Sequence, residues 1–283
     1  MDRFVFHNDR IIEANECHLA PTTAGLLYGW GVFTTIRVYA GDLFAFERHW
    51  DRLVKHAERA RIAVPLTLDR AHQAALSLIA TNSTVDGRVR ITLLRGSAGA
   101  WKVSSTPESE LLVFTASEPR RVRRALAITV SPYRVLSHGP LAGVKRTAMV
   151  ENVLALDEAK SRGFAEAVMC NERGEIAGAT SANIFWAEGP QLFTPSLATG
   201  CIPGITRGFV LEIASRLDVA VTEGSFPLQR LLDATEVFVT STVREIALVS
   251  SFDIKEYDPN RAMLLRQLRR EFQKATRGVK ITR

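Results

Sequence analysis

The sequence predicts a mixed α/β fold, of the α+β or mixed type, in two subdomains. Three observations carry this expectation. The chain has 283 residues, and at roughly 150 residues per domain that is one large domain or two modest ones. Strand-like and helix-like stretches are interspersed rather than gathered in blocks of one kind. A polar, charge-dense stretch with a proline, Ser117-Glu-Pro-Arg-Arg-Val-Arg-Arg124, interrupts the pattern. A smaller N-terminal domain at 1–117, a linker at 118–124 and a larger C-terminal domain at 125–283 follow. A ligand site is expected in the cleft between the two.

Each element has a local reason. Phe33 to Tyr39 (FTTIRVY) is rich in β-branched and aromatic residues and reads as a strand. Ala40-Gly41-Asp42 then reads as a turn into Leu43–Phe46. From Glu47 to Ile62, Trp50, Leu53, Val54, Ala57 and Ala60 recur on one helical face. A second helix fits 68–81, and Arg88–Leu94 and Leu111–Thr115 read as buried strands. Past the linker, Ala125–Val130 opens a strand; helices fit 148–161, 205–217 and 260–275, and strands fit 165–170, 182–187 and 235–240. There is no internal repeat.

Composition narrows the classes. Hydrophobic residues make up 46% and charged residues 23%, ordinary values that exclude a largely disordered or fibrous chain. No apolar run approaches the ~18 residues of a membrane span, and the first residues lack the apolar core of a signal peptide. The cysteines, Cys17, Cys170 and Cys201, are far apart and odd in number, which fits a reducing cytoplasm and argues against a cysteine zinc site. The net charge is +6, yet residues 261–283 alone carry +7 and the rest is nearly neutral. Leu265, Leu268 and Phe272 recur there at helical spacing, so the tail reads as an amphipathic helix with a solvated basic face, not as a nucleic-acid arm.

Several motifs are set aside. Gly29-Trp30-Gly31 lacks the third glycine of a dinucleotide fingerprint and runs into a strand. No Walker-A loop, H-E-x-x-H or G-x-S-x-G is present. His49 and His56 are seven apart on one helix, wrong for a shared metal, and no metal is expected. One lysine stands out among only seven, against 29 arginines. Lys145 ends Gly139-Pro-Leu-Ala-Gly-Val-Lys145, after apolar and small residues. An amine so placed loses hydration, and its neutral form, which Schiff-base chemistry needs, becomes more available; the plainer alternative is a lysine snorkelling from a strand end. Cys201-Ile-Pro-Gly-Ile-Thr-Arg-Gly208 opens a helix, with the amides of Ile205 and Thr206 at a start that suits phosphate, or simply an N-cap. Thr240-Ser241-Thr242 puts three hydroxyls at a strand end, for phosphate or for a turn. An amine with two phosphate-binding ends points to pyridoxal phosphate.

Nearly end to end, the chain resembles the class IV aminotransferases, the fold-type IV pyridoxal-phosphate enzymes typified by D-amino-acid aminotransferase. The resemblance rests on YGWGVFTTIRVYAG (28–41), HWDRL (49–53), RGSAG (95–99), LAGVK (141–145), ANIFW (182–186), GCIPGITR (200–207) and VFVTST (237–242). It implies two α/β domains with the cofactor between them and a homodimer or higher oligomer. It implies that Lys145 forms the Schiff base and moves the proton, that Arg52 binds phosphate, and that Ile205, Thr206, Ser241 and Thr242 complete the phosphate cup. Within the family, Phe33-Thr34-Thr35-x-Arg37, Arg95-Gly-Ser-x-Gly99 and Leu141–Lys145 look most like aminodeoxychorismate lyase, which releases pyruvate and forms 4-aminobenzoate; branched-chain members more often carry glutamate at the position of Thr34. Phe33 and Arg37 then face substrate. A transaminase on D-amino acids, branched-chain amino acids or amines is the alternative, and a non-catalytic cofactor-binding protein is a third.

The chain departs from the family pattern at three positions. Gly178 stands where a glutamate usually keeps the pyridine nitrogen protonated, so Thr180 or Ser181 is expected to make a neutral hydrogen bond there, giving a weaker electron sink. Ala100 stands where a carboxylate-binding arginine falls, and Lys102 is a possible substitute without the bidentate fork. Trp30 replaces the aspartate of Y-G-D-G-V-F.

Overall fold

The computed structural model describes residues 2–96, 108–118 and 125–277. They divide into two units. The first holds the described residues up to 118 and, from later in the chain, Val144–Ala148; the second holds 125–143 and 149–277. Residues 119–124 of the expected linker lie outside the described residues.

The first unit is a six-stranded antiparallel sheet. Its strands are β1 (Phe4–His7), β2 (Arg10–Glu13), β3 (Gly31–Tyr39), β4 (Asp42–Leu43), β5 (Gly87–Arg95) and β6 (Ser109–Ser117), in the order β2-β1-β6-β5-β3-β4. Its helices are α1 (Ala24–Leu27), α2 (Phe46–Arg59) and α3 (Leu68–Thr81). Helix α3 starts where Thr67 Oγ1 accepts from Arg70 N–H at 3.4 Å, a side-chain cap for an otherwise orphan amide. Helix α2 buries Trp50, Leu53 and Ala57 on the face its spacing predicts, together with the polar His49, Arg52 and His56. Strand β3 is buried on both faces, with Val32, Ile36 and Val38 wholly inaccessible. Strand β4 pairs only Val38 and Tyr39, so the N-terminal half of β3 keeps an open edge.

The second unit is a nine-stranded mixed sheet. It comprises β7 (Leu126–Val135), β8 (Glu166–Asn171), β9 (Ile176–Ala179), β10 (Asn183–Glu188), β11 (Gln191–Pro195), β12 (Val221–Gly224), β13 (Glu236–Ser241), β14 (Glu245–Phe252) and β15 (Lys255–Glu256). The order is β12-β11-β10-β13-β14-β7-β8-β9, with β15 on β14. Pairs β11/β12, β14/β7 and β7/β8 are parallel. Helices α4 (Val150–Ser161), α5 (Ile205–Arg216), α6 (Gln229–Asp233) and α7 (Met263–Arg277) complete the unit. Trp186, Phe193 and Phe226 interlock in the core, edge-to-face at 5.0 and 5.7 Å. The basic tail helix α7 docks by its apolar stripe: Leu265, Leu268 and Phe272 are buried. The Glu236 carboxylate of β13 accepts from the first amides of α7, Leu264 N–H at 3.1 Å and Leu265 N–H at 2.9 Å, satisfying the helix start and complementing its dipole.

Candidate active site

In the first unit the open edge of β3 is filled by the segment around Lys145. Val32 and Arg146 form an isolated antiparallel bridge, and Phe33 N–H donates to Lys145 C=O at 3.0 Å. Lys145 itself lies at a tight turn, with Arg146 N–H donating two residues back to Val144 C=O at 3.0 Å. Thr147 anchors the far side, through N–H to Gly31 C=O (2.9 Å) and Oγ1 to Gly29 C=O (2.8 Å). Residue 31 must be glycine for this approach, since a Cβ there would stand 2.7 Å from Thr147 Oγ1 and 2.6 Å from Leu94 Cδ2.

The Lys145 amine stands 4.4 Å from the Phe33 ring centroid. Among the described residues nothing accepts a hydrogen bond from Nζ. Burial, and then the cations of Arg52 and Arg90, push its pKa down to about 7. Arg90 lies on the same Phe33 ring, its Cζ 3.6 Å from the centroid. The neutral amine is thus well populated at neutral pH, one of the two readings that the local sequence leaves open.

Helix α2 supplies the polar wall. Arg52 Nη2 donates to Thr34 Oγ1 at 2.9 Å, and Thr34 Oγ1 is 2.7 Å from His49 Nδ1. The short Thr34 side chain at the glutamate position thereby ties β3 to the helix. Lys145 N–H donates to His56 Nδ1 at 3.0 Å. Both histidines are held neutral: burial first, then the Arg52 and Lys145 cations, push His49 well below its usual range, and burial with Arg52, Arg59 and Lys145 takes His56 to about 4. Arg37 is buried elsewhere on β3. It donates through Nη2 to Glu118 C=O at 3.0 Å, and Arg88 pairs with the Glu118 carboxylate at 2.8 Å. Trp30 is structural: its Nε1–H donates to Ala60 C=O at 2.7 Å, and Arg95 packs over its ring.

In the second unit Ile205 and Thr206 open α5, which has Gly204 at its N-cap and no side-chain cap. A Cβ on Gly204 would stand 2.0 Å from Asn183 Oδ1. Asn183 Nδ2 in turn donates to Ile202 C=O at 2.8 Å, which fixes the turn. Buried Arg207 anchors the first turn of α5 on Pro195 C=O at 2.9 Å and on Glu223. Ser241 ends β13 and accepts from Arg244 N–H at 3.2 Å; Thr242 follows it in the turn. Such a helix start, built on glycine with open amides, suits an anion.

Thr180 and Ser181 surround a group the sequence did not announce. Glu166, at the head of β8, is fully buried. It accepts from Thr180 Oγ1, Thr180 N–H at 3.0 Å, Ser181 Oγ at 2.8 Å and Arg244 Nη1. A hydroxyl has one proton to donate. Those of Thr180 and Ser181 are committed to Glu166, so the expected donation to a ring nitrogen is not available from either; Thr180 Oγ1 can only accept. Lys102, and Ala100 with it, lie outside the described residues.

Residues 31–252 match the amino-transferase class IV family. The chain belongs to it. It is accordingly a pyridoxal-phosphate enzyme, of the lyase or aminotransferase kind. The chain is 29% identical over 253 residues to a putative branched-chain-amino-acid aminotransferase of Methanocaldococcus jannaschii, covering 88% of each. It is 27% identical to the aminodeoxychorismate lyase of Bacillus subtilis, covering 86% of this chain and 84% of that one. The fold matches the branched-chain amino acid aminotransferase of Escherichia coli with a TM-score of 0.91 at 22% identity, over 97% and 94% of the two chains. The fold-type IV architecture expected from the sequence is the one observed.

The residues present fit the cofactor. A half-buried lysine amine with no hydrogen-bond acceptor among the described residues suits an aldehyde carbon, and the uncapped, glycine-lined start of α5 suits a phosphate. No helix among the described residues is long and apolar enough to cross a membrane, and no cluster of metal-ligating side chains occurs among them.

Proposed function

We propose that the protein is a pyruvate-eliminating lyase of the aminodeoxychorismate type, working through Lys145. The observation that carries the use of Lys145 is its amine, lowered to about 7 and without an acceptor among the described residues. The lyase choice is supported by the Phe33-Thr34-Thr35-x-Arg37 and Arg95-Gly-Ser-x-Gly99 segments and by the similarity to the Bacillus subtilis enzyme. Bound pyridoxal phosphate supplies an electron-withdrawing ring conjugated to the substrate nitrogen. In this proposal Lys145 Nζ would hold the cofactor through its aldehyde carbon, and the same amine would serve as the base for a substrate proton. An amine with a pKa near 7 both accepts and returns a proton at neutral pH. The residues proposed for the phosphate are, in the first unit, Arg52 and, in the second, the amides of Ile205 and Thr206 with Ser241 and Thr242. Phe33 sets one wall beside the amine. Arg37, engaged with Glu118, orients β3; carboxylate recognition falls to Lys102.

Thr180, whose hydroxyl proton goes to Glu166, would meet the ring nitrogen as an acceptor and would favour its protonated form, the stronger electron sink, despite Gly178. The oligomer proposed is a homodimer, supported by the exposed apolar side chains of Leu26 and Leu27 on α1 and of Val150, Val153 and Leu154 on α4. The proposed setting is the cytoplasm. The test of the lyase reading is substrate turnover without an amino acceptor: pyruvate release from aminodeoxychorismate alone supports it, and a strict requirement for a 2-oxo acid assigns the protein to the transaminases instead.

A further inference from the structure

Resting on the reading of Lys145 as the cofactor lysine, we infer that His56 is its positioning residue: the imidazole holds the lysine backbone to α2 and so fixes the amine relative to Arg52. The connections form a closed circuit that begins and ends on one helix. Arg52 and His56 are four residues apart, on one face of α2. Arg52 bonds Thr34 Oγ1 on β3. The neighbouring residue on β3, Phe33, donates its N–H to Lys145 C=O, and Lys145 N–H donates to His56 Nδ1. Both backbone polar groups of Lys145 are therefore clamped, one to β3 and one to α2. The root of the side chain cannot shift without breaking one of them.

The clamp has a protonation requirement. His56 Nδ1 accepts, so the neutral ring carries its proton on Nε2. The charges acting on it are cations, Arg52 and Arg59 from its own helix and Lys145 from the segment it holds, and with burial they keep the ring neutral. A protonated ring would set an N–H against the Lys145 N–H and release the lysine.

The test compares two ligands on the full chain in four forms: wild type, His56→Ala, His56→Asn and His56→Gln. Pyridoxal phosphate engages the lysine and is followed by its Schiff-base absorbance. Pyridoxamine phosphate already carries an amine, cannot bond the lysine, and is followed by quenching of tryptophan fluorescence. Melting temperature is recorded for each form. His56→Ala should weaken pyridoxal phosphate by about tenfold, the worth of one well-placed hydrogen bond, with pyridoxamine phosphate little changed. His56→Asn should restore binding, because Oδ1 falls where Nδ1 does; His56→Gln should not, because its Oε1 falls nearer Nε2. Should His56→Ala fail to fold, the Asn–Gln contrast decides. Equal losses for both ligands, or equal rescue by Gln and Asn, would overturn the positioning role. Wild-type protein that binds neither ligand would overturn the cofactor reading beneath it, and is seen before any variant is made.

Discussion

The amine of Lys145 is held near neutrality partly by Arg90, and the geometry sets how much. Arg90 Cζ and Lys145 Nζ lie 3.6 and 4.4 Å from the centroid of one ring, that of Phe33, so they are at most about 8 Å apart. Two like charges at about 8 Å repel by ~0.5 kcal/mol in a water-like medium and ~2 kcal/mol at the effective dielectric of a protein site. At about 1.4 kcal/mol per pKa unit this is ~0.4 to ~1.5 units. The substitution is Arg90→Met, which keeps a long apolar stem on the ring and removes the charge. Removing a cation makes protonation easier, so the Lys145 pKa rises from about 7 to between ~7.4 and ~8.5. The neutral fraction at pH 7 falls from about half to between ~30% and ~3%. The assay is the pH dependence of Lys145 modification by a small aldehyde, trapped with borohydride and read by mass spectrometry. An unshifted midpoint in Arg90→Met would refute the electrostatic argument. A wild-type midpoint near that of an ordinary lysine would refute the burial argument as well.

Four further outcomes follow from the same geometry. His56 falls from 6.5 in the unfolded chain to about 4 in the folded one, so the unfolded state binds the extra proton first as pH falls; stability should drop by about 3 kcal/mol between about pH 6.5 and 4, and His56→Asn should remove that part of the slope in urea melts. Glu166→Ala leaves the Arg244 cation and two hydroxyls without their carboxylate and should cost ~3–5 kcal/mol in urea unfolding; a loss no greater than that of a surface substitution would contradict the buried network. With 15N-labelled cofactor, the ring nitrogen should show the protonated shift in wild type, and Thr180→Val should move it toward the unprotonated value; an unprotonated nitrogen in wild type would exclude Thr180 as its acceptor. Val153→Glu places a charge on the exposed apolar face of α4 and should shift sedimentation from dimer to monomer, whereas an unchanged sedimentation coefficient would remove that face from the interface.

Much of this arrangement is written locally, and what is not has a common cause. The helix carrying Arg52 is legible because Trp50, Leu53 and Ala57 recur at helical spacing and do pack inward. Lys145 has small and apolar neighbours, but these fit a snorkelling lysine as well, and it is the match of LAGVK (141–145) to the family pattern that singles it out. The tail helix is legible because Leu265, Leu268 and Phe272 fall on one side of it. By contrast His49 and His56 carry no local mark of their role: their partners are 15 and 89 residues away in sequence, Thr34 and the backbone of Lys145. Glu166 is a lone acid at the head of the buried strand EAVMCN, a hint of hidden pairing, but Thr180, Ser181 and Arg244 meet it only through the sheet. Strand β7 runs past its expected end at Val130 because the ladder slips between Val130 and Arg134, which absorbs Pro132 and its missing donor. Strands β1 and β2 and the apolar run of β14 escape notice because short or unalternating strands leave little periodicity to read.

The central claim is that Lys145 is the amine that binds the cofactor. The measurement that bears on it most directly is the absorbance spectrum of purified protein with pyridoxal phosphate, wild type against Lys145→Ala. A Schiff-base band present in the first and absent from the second is the expected result. A band that persists without Lys145, or no band in either protein, would contradict it.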